Sequence, residues 1–320
     1  MAAGTSKTPR PIVVTAGDPA GIGPDLLLWL GARGHLSPGD RVAADPAVLA
    51  ARAAALPPDF APGGLDALAP HLDPALCEPG SPPHVLLERA VSHVLGHPGT
   101  ALVTAPIHKA AMPPGAFPFP GHTEFLAARD GGRAVTMAMM GPRLRVALVT
   151  VHVPLARVPR LVTAEAVARA GRHLAAALRD HLGVAAPVVG VCGLNPHAGE
   201  DGRFGPEDAS VVAAGVAGAR AAAPFARFEG PLPADGAMFQ AHEGAYDGLV
   251  CMYHDQGLAP FKLAHVRCGV NVTLGLSFLR TSPDHGTARA RAGTGRIFPT
   301  SMLAAVRYAR GDDPIWEAAG

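Results

Sequence analysis

The chain is poor in several residues that usually carry surface polarity. Only two of its 320 residues are asparagine, Asn195 and Asn271, and of 27 basic residues only Lys7, Lys109 and Lys262 are lysine. Aromatic residues make up 5%. The four cysteines, Cys77, Cys192, Cys251 and Cys268, show no Cys-x-x-Cys spacing, which excludes a zinc ribbon and a thioredoxin-like redox motif. No secretory signal pattern opens the sequence, so cytoplasmic residence with reduced thiols is expected. No run approaches the ~18 uninterrupted apolar residues of a membrane span. A net charge of +1 gives no long-range field for nucleic acid or an anionic membrane, so any anion recognition must be local.

Glycine (38) and proline (33) are abundant, yet no periodic or low-complexity tract accompanies them. The skew reads as a compositional bias of the coding sequence, and that makes the scarce residues informative. Lys7 lies in a polar N-terminal tail; Lys109, Asn195, Lys262 and Asn271 fall in dense polar motifs.

Three apolar runs each lead to a histidine: residues 145–151 to His152, 188–196 to His197 and 248–253 to His254. Runs of this kind, rich in β-branched residues and without an alternating polar face, read as strands buried on both sides of a parallel sheet. In open α/β sheets, ligands bind beyond the carboxyl ends of the strands. Three imidazoles placed there suit a divalent ion acting as a Lewis acid. Alternation of strands and helices along the chain predicts a two-lobed α/β fold with mainly parallel sheets flanked by helices and some mixed pairing.

Other polar motifs punctuate the same pattern. A strand over Pro11–Thr15 runs into a glycine loop (Gly17, Gly21, Gly23) and a helix start at Pro24. This loop does not match the Gly-x-Gly-x-x-Gly dinucleotide fingerprint. Residues 34–83 show no chemistry and are expected to supply peripheral helices and connections. A helix over Val85–Leu95 and a strand over Ala101–Ala105 put Lys109 just past a strand end. His122 and Thr123 stand at a helix start, where backbone N–H groups favour an anion. A helix is expected from Val162 to Leu182, a polar binding loop over 195–208, and a strand over Val270–Leu276 that carries Asn271.

Gly-Asp-Pro-Ala-Gly-Ile-Gly-Pro (17–24), Thr-Ala-Pro-Ile-His-Lys (104–109), Gly-His-Thr-Glu-Phe-Leu (121–126), Asn-Pro-His-Ala-Gly-Glu (195–200), Tyr-His-Asp-Gln-Gly (253–257) and Thr-Ser-Pro-Asp-His-Gly-Thr-Ala (281–288) together resemble the motifs of the 4-hydroxythreonine-4-phosphate dehydrogenase family. They span nearly the whole chain in order. The resemblance implies an isocitrate/isopropylmalate dehydrogenase-like fold. One α/β lobe is expected from residues 1–130 with 275–320, and a second from 131–274 carrying most of a homodimer interface, with the active site in the cleft between. It implies a divalent metal ion per subunit (Zn, Mg or Co) on His152, His197 and His254. It also places a small phosphorylated four-carbon acid on His122, Thr123, Lys262, Asn271 and Arg280. The segment with His285, Gly286, Thr287, Ala288, Gly293 and Gly295 resembles the loop with which isopropylmalate dehydrogenases hold the adenosine part of NAD. NAD or NADP is therefore the implied cofactor. After Gly295 the sequence departs from the family with Arg-Ile-Phe-Pro, which leaves NAD against NADP open.

The implied reaction is oxidation of 4-phosphohydroxy-L-threonine at the 3-hydroxyl, with loss of CO₂ from the 3-oxo acid, in pyridoxal phosphate biosynthesis. The proton acceptor stays open among Asp255, Lys109, Asp247 and a metal-bound hydroxide, and Asp255 beside His254 is equally placed to orient that ligand. Alternatives are D-threonate or D-erythronate 4-phosphate oxidation, oxidation of dihydrodiol dicarboxylates lacking phosphate, a metal-dependent hydrolase or lyase, and a non-catalytic binding or scaffold protein. No nucleic-acid or membrane partner is expected.

Overall fold

The computed structural model describes residues 9–112, 115–312 and 315–316; Lys7 lies outside the described residues. In chain order the elements begin with β1 (Ile12–Thr15), α1 (Gly23–Ala32), β2 (Arg41–Ala43), α2 (Pro46–Ala55), α3 (Gly64–Leu68), α4 (Pro83–Gly96), β3 (Ala101–Thr104) and α5 (His122–Arg129). Next come β4 (Thr136–Met140), β5 (Arg145–Leu148), α6 (Val158–Leu161), α7 (Ala164–Asp180), β6 (Val188–Cys192), α8 (Ala213–Ala222), β7 (Arg227–Leu232) and α9 (Ala234–His242). The chain closes with β8 (Gly248–Cys251), α10 (His254–His265), β9 (Val270–Leu274), β10 (Arg280–Pro283) and α11 (Thr300–Arg310). The fold is mixed α/β, with helices flanking the strands.

Two compact units form, Met1–Arg133 with Leu276–Gly320, and Ala134–Gly275. In the first, β2, β1, β3 and β10 lie side by side and all run parallel. Val13, Leu87, Val91, Leu102 and Phe125 fill its core. In the second the order is β9-β4-β5-β8-β6-β7, and β4 alone runs against its neighbours. Val146, Leu148, Leu249, Leu258 and Phe261 are buried there. Burying each such side chain contributes roughly 1.5–3 kcal/mol.

Local signals explain several boundaries. Thr163 caps α7 by accepting from the Ala166 N–H, so the long helix starts two residues later than Val162, and residues 158–161 form a separate turn, α6. Residues 34–83 supply the expected helices, α2 and α3, and connections, but also the edge strand β2, and Arg52 of α2 reaches the glycine loop. The sequence alone assigns no helix to 254–265, because Gly257 and Pro260 both disfavour one. Packing overrides them. A Cβ on Gly257 would stand 3.0 Å from Leu148 Cδ2 and 3.2 Å from Cys251 Sγ, so glycine is what lets α10 lie against its sheet. Strand β10 also escapes periodicity, since Arg-Thr-Ser-Pro is polar although all four residues are buried. Among the described residues no helix is long and apolar enough to cross a membrane.

Candidate active site

Strands β5, β8 and β6 are parallel neighbours, so the segments that leave their carboxyl ends emerge on one edge. His152 follows β5, His254 opens α10 directly after β8, and His197 lies in the loop after β6. The His152 and His254 rings stand 5.7 Å apart, centre to centre, at 45°. Two imidazoles bound tetrahedrally to one zinc-sized ion, at Zn–N of about 2.0–2.1 Å, would have ring centres about 5 Å apart. His254 Nδ1 lies 2.6 Å from Asp255 Oδ1, which leaves Nε2 as its free nitrogen. A carboxylate behind a histidine is the arrangement that orients metal-ligating imidazoles. The pair opens onto a cavity of ≈ 350 Å³ lined also by Val151, Leu155, Val158 and Tyr253. These two residues therefore fit a divalent ion. His197 stands apart: its ring lies 6.1 Å from that of Phe204, and among the described residues no three metal-ligating side chains come together.

The loop that carries His197 is strained. Non-glycine residues His197, Ala198, Glu200 and Asp201 all have left-handed φ, between 42° and 53°. Such a conformation costs roughly 1–2 kcal/mol per residue.

In the first unit a cluster of basic side chains forms at β3, β10 and the start of α5. Arg280 is 3% exposed and donates from Nη2 and Nε to Thr104 Oγ1, at 2.6 and 3.2 Å. Burial pulls its pKa down to about 10, against the opposing pull of Glu124, so it remains cationic at neutral pH. His122 Nε2 is shut off from solvent and has no hydrogen-bond partner among the described residues. Burial first, then the charges of Arg280 and Lys109, hold the imidazole pKa well below its ordinary value. Lys109 Nζ donates to the Pro120 carbonyl, on the segment entering α5. Gly121 caps α5 without a side-chain bond, and Thr123 is its second residue, so the first-turn N–H groups stay available to an anion.

The remaining expected residues are spread over the second unit. Asn271 sits in β9 opposite Met139, and its buried Oδ1 has no hydrogen-bond partner among the described residues. Lys262 is exposed on α10. Asp247 lies at the amino end of β8, away from His254; its carboxylate accepts from the Val188 N–H at 2.8 Å and its carbonyl accepts from Arg145. That placement makes it a strand-end clamp rather than a proton acceptor.

The stretch from His285 to Gly295 is a mostly solvent-facing loop fastened from below. Asp25, fully buried in α1, accepts from the Gly293 N–H at 2.7 Å and pairs with Arg52. Burial raises the Asp25 pKa, opposed by the Gly293 N–H and by Arg52. Asp18 receives Arg289 Nε at 2.6 Å, and the Ile22 N–H donates to the Thr287 carbonyl at 2.9 Å. A Cβ on Gly21 would fall 2.8 Å from that carbonyl, so only glycine lets the two loops meet. Ala288 is left-handed at φ 44°, and the space beside Gly286 is open. A prefastened loop with an open backbone approach fits a nucleotide. Asp25 and Arg52 were not among the expected site residues; Asp25 sits directly after the 17–24 motif, and Arg52 lies in a segment whose composition carries no signal.

A family model described as pyridoxal phosphate biosynthetic protein PdxA matches residues 80–309. A 4-hydroxythreonine-4-phosphate dehydrogenase of Xanthobacter autotrophicus is 43% identical over 328 residues, covering 94% of this chain and 93% of that protein. The crystal structure of 4-hydroxythreonine-4-phosphate dehydrogenase from Klebsiella pneumoniae matches with a TM-score of 0.80 at 32% identity, covering 98% of this chain and 100% of that one. A terephthalate 1,2-cis-dihydrodiol dehydrogenase from Burkholderia xenovorans matches with a TM-score of 0.64 at 26% identity, covering 94% and 98%. The chain belongs to the PdxA family of pyridoxal phosphate biosynthetic proteins.

Proposed function

We propose that the protein is a 4-hydroxythreonine-4-phosphate dehydrogenase, oxidising 4-phosphohydroxy-L-threonine at its 3-hydroxyl with NAD or NADP and a divalent metal ion. The 3-oxo acid so formed loses CO₂ to give 3-amino-2-oxopropyl phosphate. The observation that carries this reading is the cluster of Arg280, His122 and Lys109 at the start of α5. It offers a buried guanidinium, a nearby ammonium and uncapped helix N–H groups, which is a receptor for a phosphate dianion.

His152 and His254 would hold the ion, with His197 as third donor, and Asp255 would orient His254 through Nδ1. When bound, the ion would lower the pKa of the substrate hydroxyl and polarise the carbonyl that replaces it. Asn271 Oδ1 and the exposed Lys262 ammonium suit the amino and carboxylate groups of the substrate. The loop of His285, Gly286, Thr287, Ala288, Gly293 and Gly295 would seat the nucleotide that takes up the hydride. Of the three side chains considered as proton acceptor, Asp247 is used at its strand end and Lys109 is placed with the phosphate, which leaves Asp255. A homodimer is consistent with the second unit, which exposes Leu155, Phe239, Leu263 and Val266 at 59–89%.

The test is NADH formation from 4-phosphohydroxy-L-threonine and from D-threonate 4-phosphate in parallel, with and without chelator. Turnover of the amino acid phosphate that is lost on chelation, and that falls at least 100-fold in kcat/KM for Arg280→Met, supports the assignment; for scale, breaking a buried charge pair costs about 3–5 kcal/mol. Preference for the threonate would move the substrate within the same family. Reduction of neither NAD nor NADP with any phosphorylated acid would overturn the reading.

A further inference from the structure

The histidine loop after β6 is held by two side chains that are not among the proposed ligands. Asp208 is 1% exposed, and its carboxylate accepts the N–H of Leu194 at 2.6 Å and of Asn195 at 3.0 Å. It fills the inside of the turn so closely that a Cβ on Gly193 would stand 2.9 Å from Asp208 Oδ1 and 2.8 Å from Ala198 Cα. Asn195, one of the two asparagines, donates from Nδ2 to Glu207 Oε2 at 2.9 Å and ties the loop's start to the residue before Asp208. The second fastener is Gln256. Its Nε2 donates to the Gly193 carbonyl at 2.8 Å, while its Oε1 accepts the Met252 N–H at 2.7 Å. One amide thus staples the exit of β6 to the exit of β8, two residues past His254.

We propose that Asp208 and Gln256 are positioning residues, which together hold the left-handed loop of His197 in register with the segment that carries His254. Four non-glycine residues in left-handed backbone do not persist without something that over-determines them. Here the carboxylate captures two backbone donors at the loop's entrance, and the carboxamide fixes that entrance against β8. A five-residue π-turn, Asp208–Val212, presents the carboxylate, and such irregular turns recur where a side chain must be aimed. No cation pairs with Asp208 among the described residues, so its negative charge stays directed at the loop.

The inference rests on the reading that His152, His197 and His254 bind a divalent ion, and the test separates the two. Metal-free full-length protein is titrated with Co²⁺, following both heat and the visible absorption bands, for the wild type, His197→Ala, Asp208→Asn and Gln256→Ala. Thermal unfolding of the metal-free forms checks that each is folded. Asp208→Asn turns one acceptor into a donor that faces a backbone N–H; Gln256→Ala cuts the staple. Both should weaken Co²⁺ binding about 10–100-fold, as loss of groups behind a metal ligand usually does. Both should also shift the Co²⁺ bands, a signature that plain loss of stability would not produce. If the wild type takes up Co²⁺ and His197→Ala weakens it, yet both folded variants bind with wild-type affinity and spectrum, the positioning role is wrong and the metal reading stands. A wild type that binds no Co²⁺ sinks both. If Asp208→Asn does not fold, Gln256→Ala alone decides.

Discussion

Two loops of this protein are fastened from beneath by buried carboxylates, and the fastening differs in its charge. Under the His285–Gly295 loop, Asp18 and Asp25 are each answered by an arginine, Arg289 and Arg52. Under the His197 loop, Asp208 binds only backbone N–H groups, and no cation answers it among the described residues. Both devices satisfy backbone donors that a surface loop would otherwise leave to water. The difference follows what each loop is proposed to meet. A nucleotide is anionic, so a platform for it must not present bare carboxylates; a divalent ion is favoured by one.

The largest expected effect breaks the paired side of this contrast. Asp25→Ala leaves the Gly293 N–H and the Arg52 guanidinium without their carboxylate. Removing one partner of a buried pair costs about 3–5 kcal/mol, and the low end is expected because Arg52 keeps the Gly21 and Pro19 carbonyls. Asp25→Asn should cost less, because the amide oxygen still accepts from Gly293. Urea denaturation of both variants checks the order, and equal losses would mean that the carboxylate's charge, not its shape, does the fastening.

Asp208→Asn should fall between these, at about 1–3 kcal/mol, since one backbone N–H loses its acceptor in a closed space. Here the charge itself is the point. If addition of Mg²⁺ or Co²⁺ stabilises the wild type but not this variant, the uncompensated carboxylate belongs with the cation. If both gain equally, the contrast between the loops has no functional content.

Arg289→Ala tests the paired side more gently. The arginine is 38% exposed at its side chain, so solvent screens its ion pair with Asp18 and the pair adds little to stability. Baring Asp18 behind the loop should nonetheless raise the KM for NAD several-fold with kcat unchanged, and the effect should fade in high salt. An unchanged KM would detach this ion pair from cofactor binding.

Much of this arrangement was legible in the sequence, and the illegible part has specific causes. The buried parallel strands β5, β6 and β8 and the histidines behind them follow from apolar runs that end in polar motifs. Scarcity of asparagine pointed to Asn195 and Asn271; the structure gives the first a hydrogen bond to Glu207 and leaves the second with an unanswered acceptor. Strand β10 stayed hidden because a buried arginine, threonine and serine carry no apolar pattern. Helix α10 stayed hidden because packing against Cys251 demands the very glycine that marks a break. Asp208 and Arg52 could not be found from spacing, since each acts on backbone groups far along the chain and any local pattern is silent about them.

A third region completes the contrast with the opposite sign, and its expected effect is the smallest. Around His122 the local charge is positive: burial, then Arg280 and Lys109, holds the imidazole pKa well below its ordinary value, and among the described residues its Nε2 has no hydrogen-bond partner. An anion at this cluster would offset those charges and let His122 take up a proton. Binding should therefore tighten as pH falls. Sulfate is the probe, because it does not titrate in this range as a phosphate monoester does. Without the anion the sign of the stability effect is fixed by the lowered pKa. Below about 6.5 the unfolded chain gains a proton that folded His122 refuses, so stability falls on acidification. His173, whose pKa burial lowers to about 4, adds to the same loss. Sulfate should flatten the His122 share of that slope in the wild type and leave it unchanged in His122→Gln, read from thermal midpoints between pH 5 and 8, the range in which histidine changes charge. A sulfate response that is identical in the two proteins would mean that the cluster holds no anion beside His122.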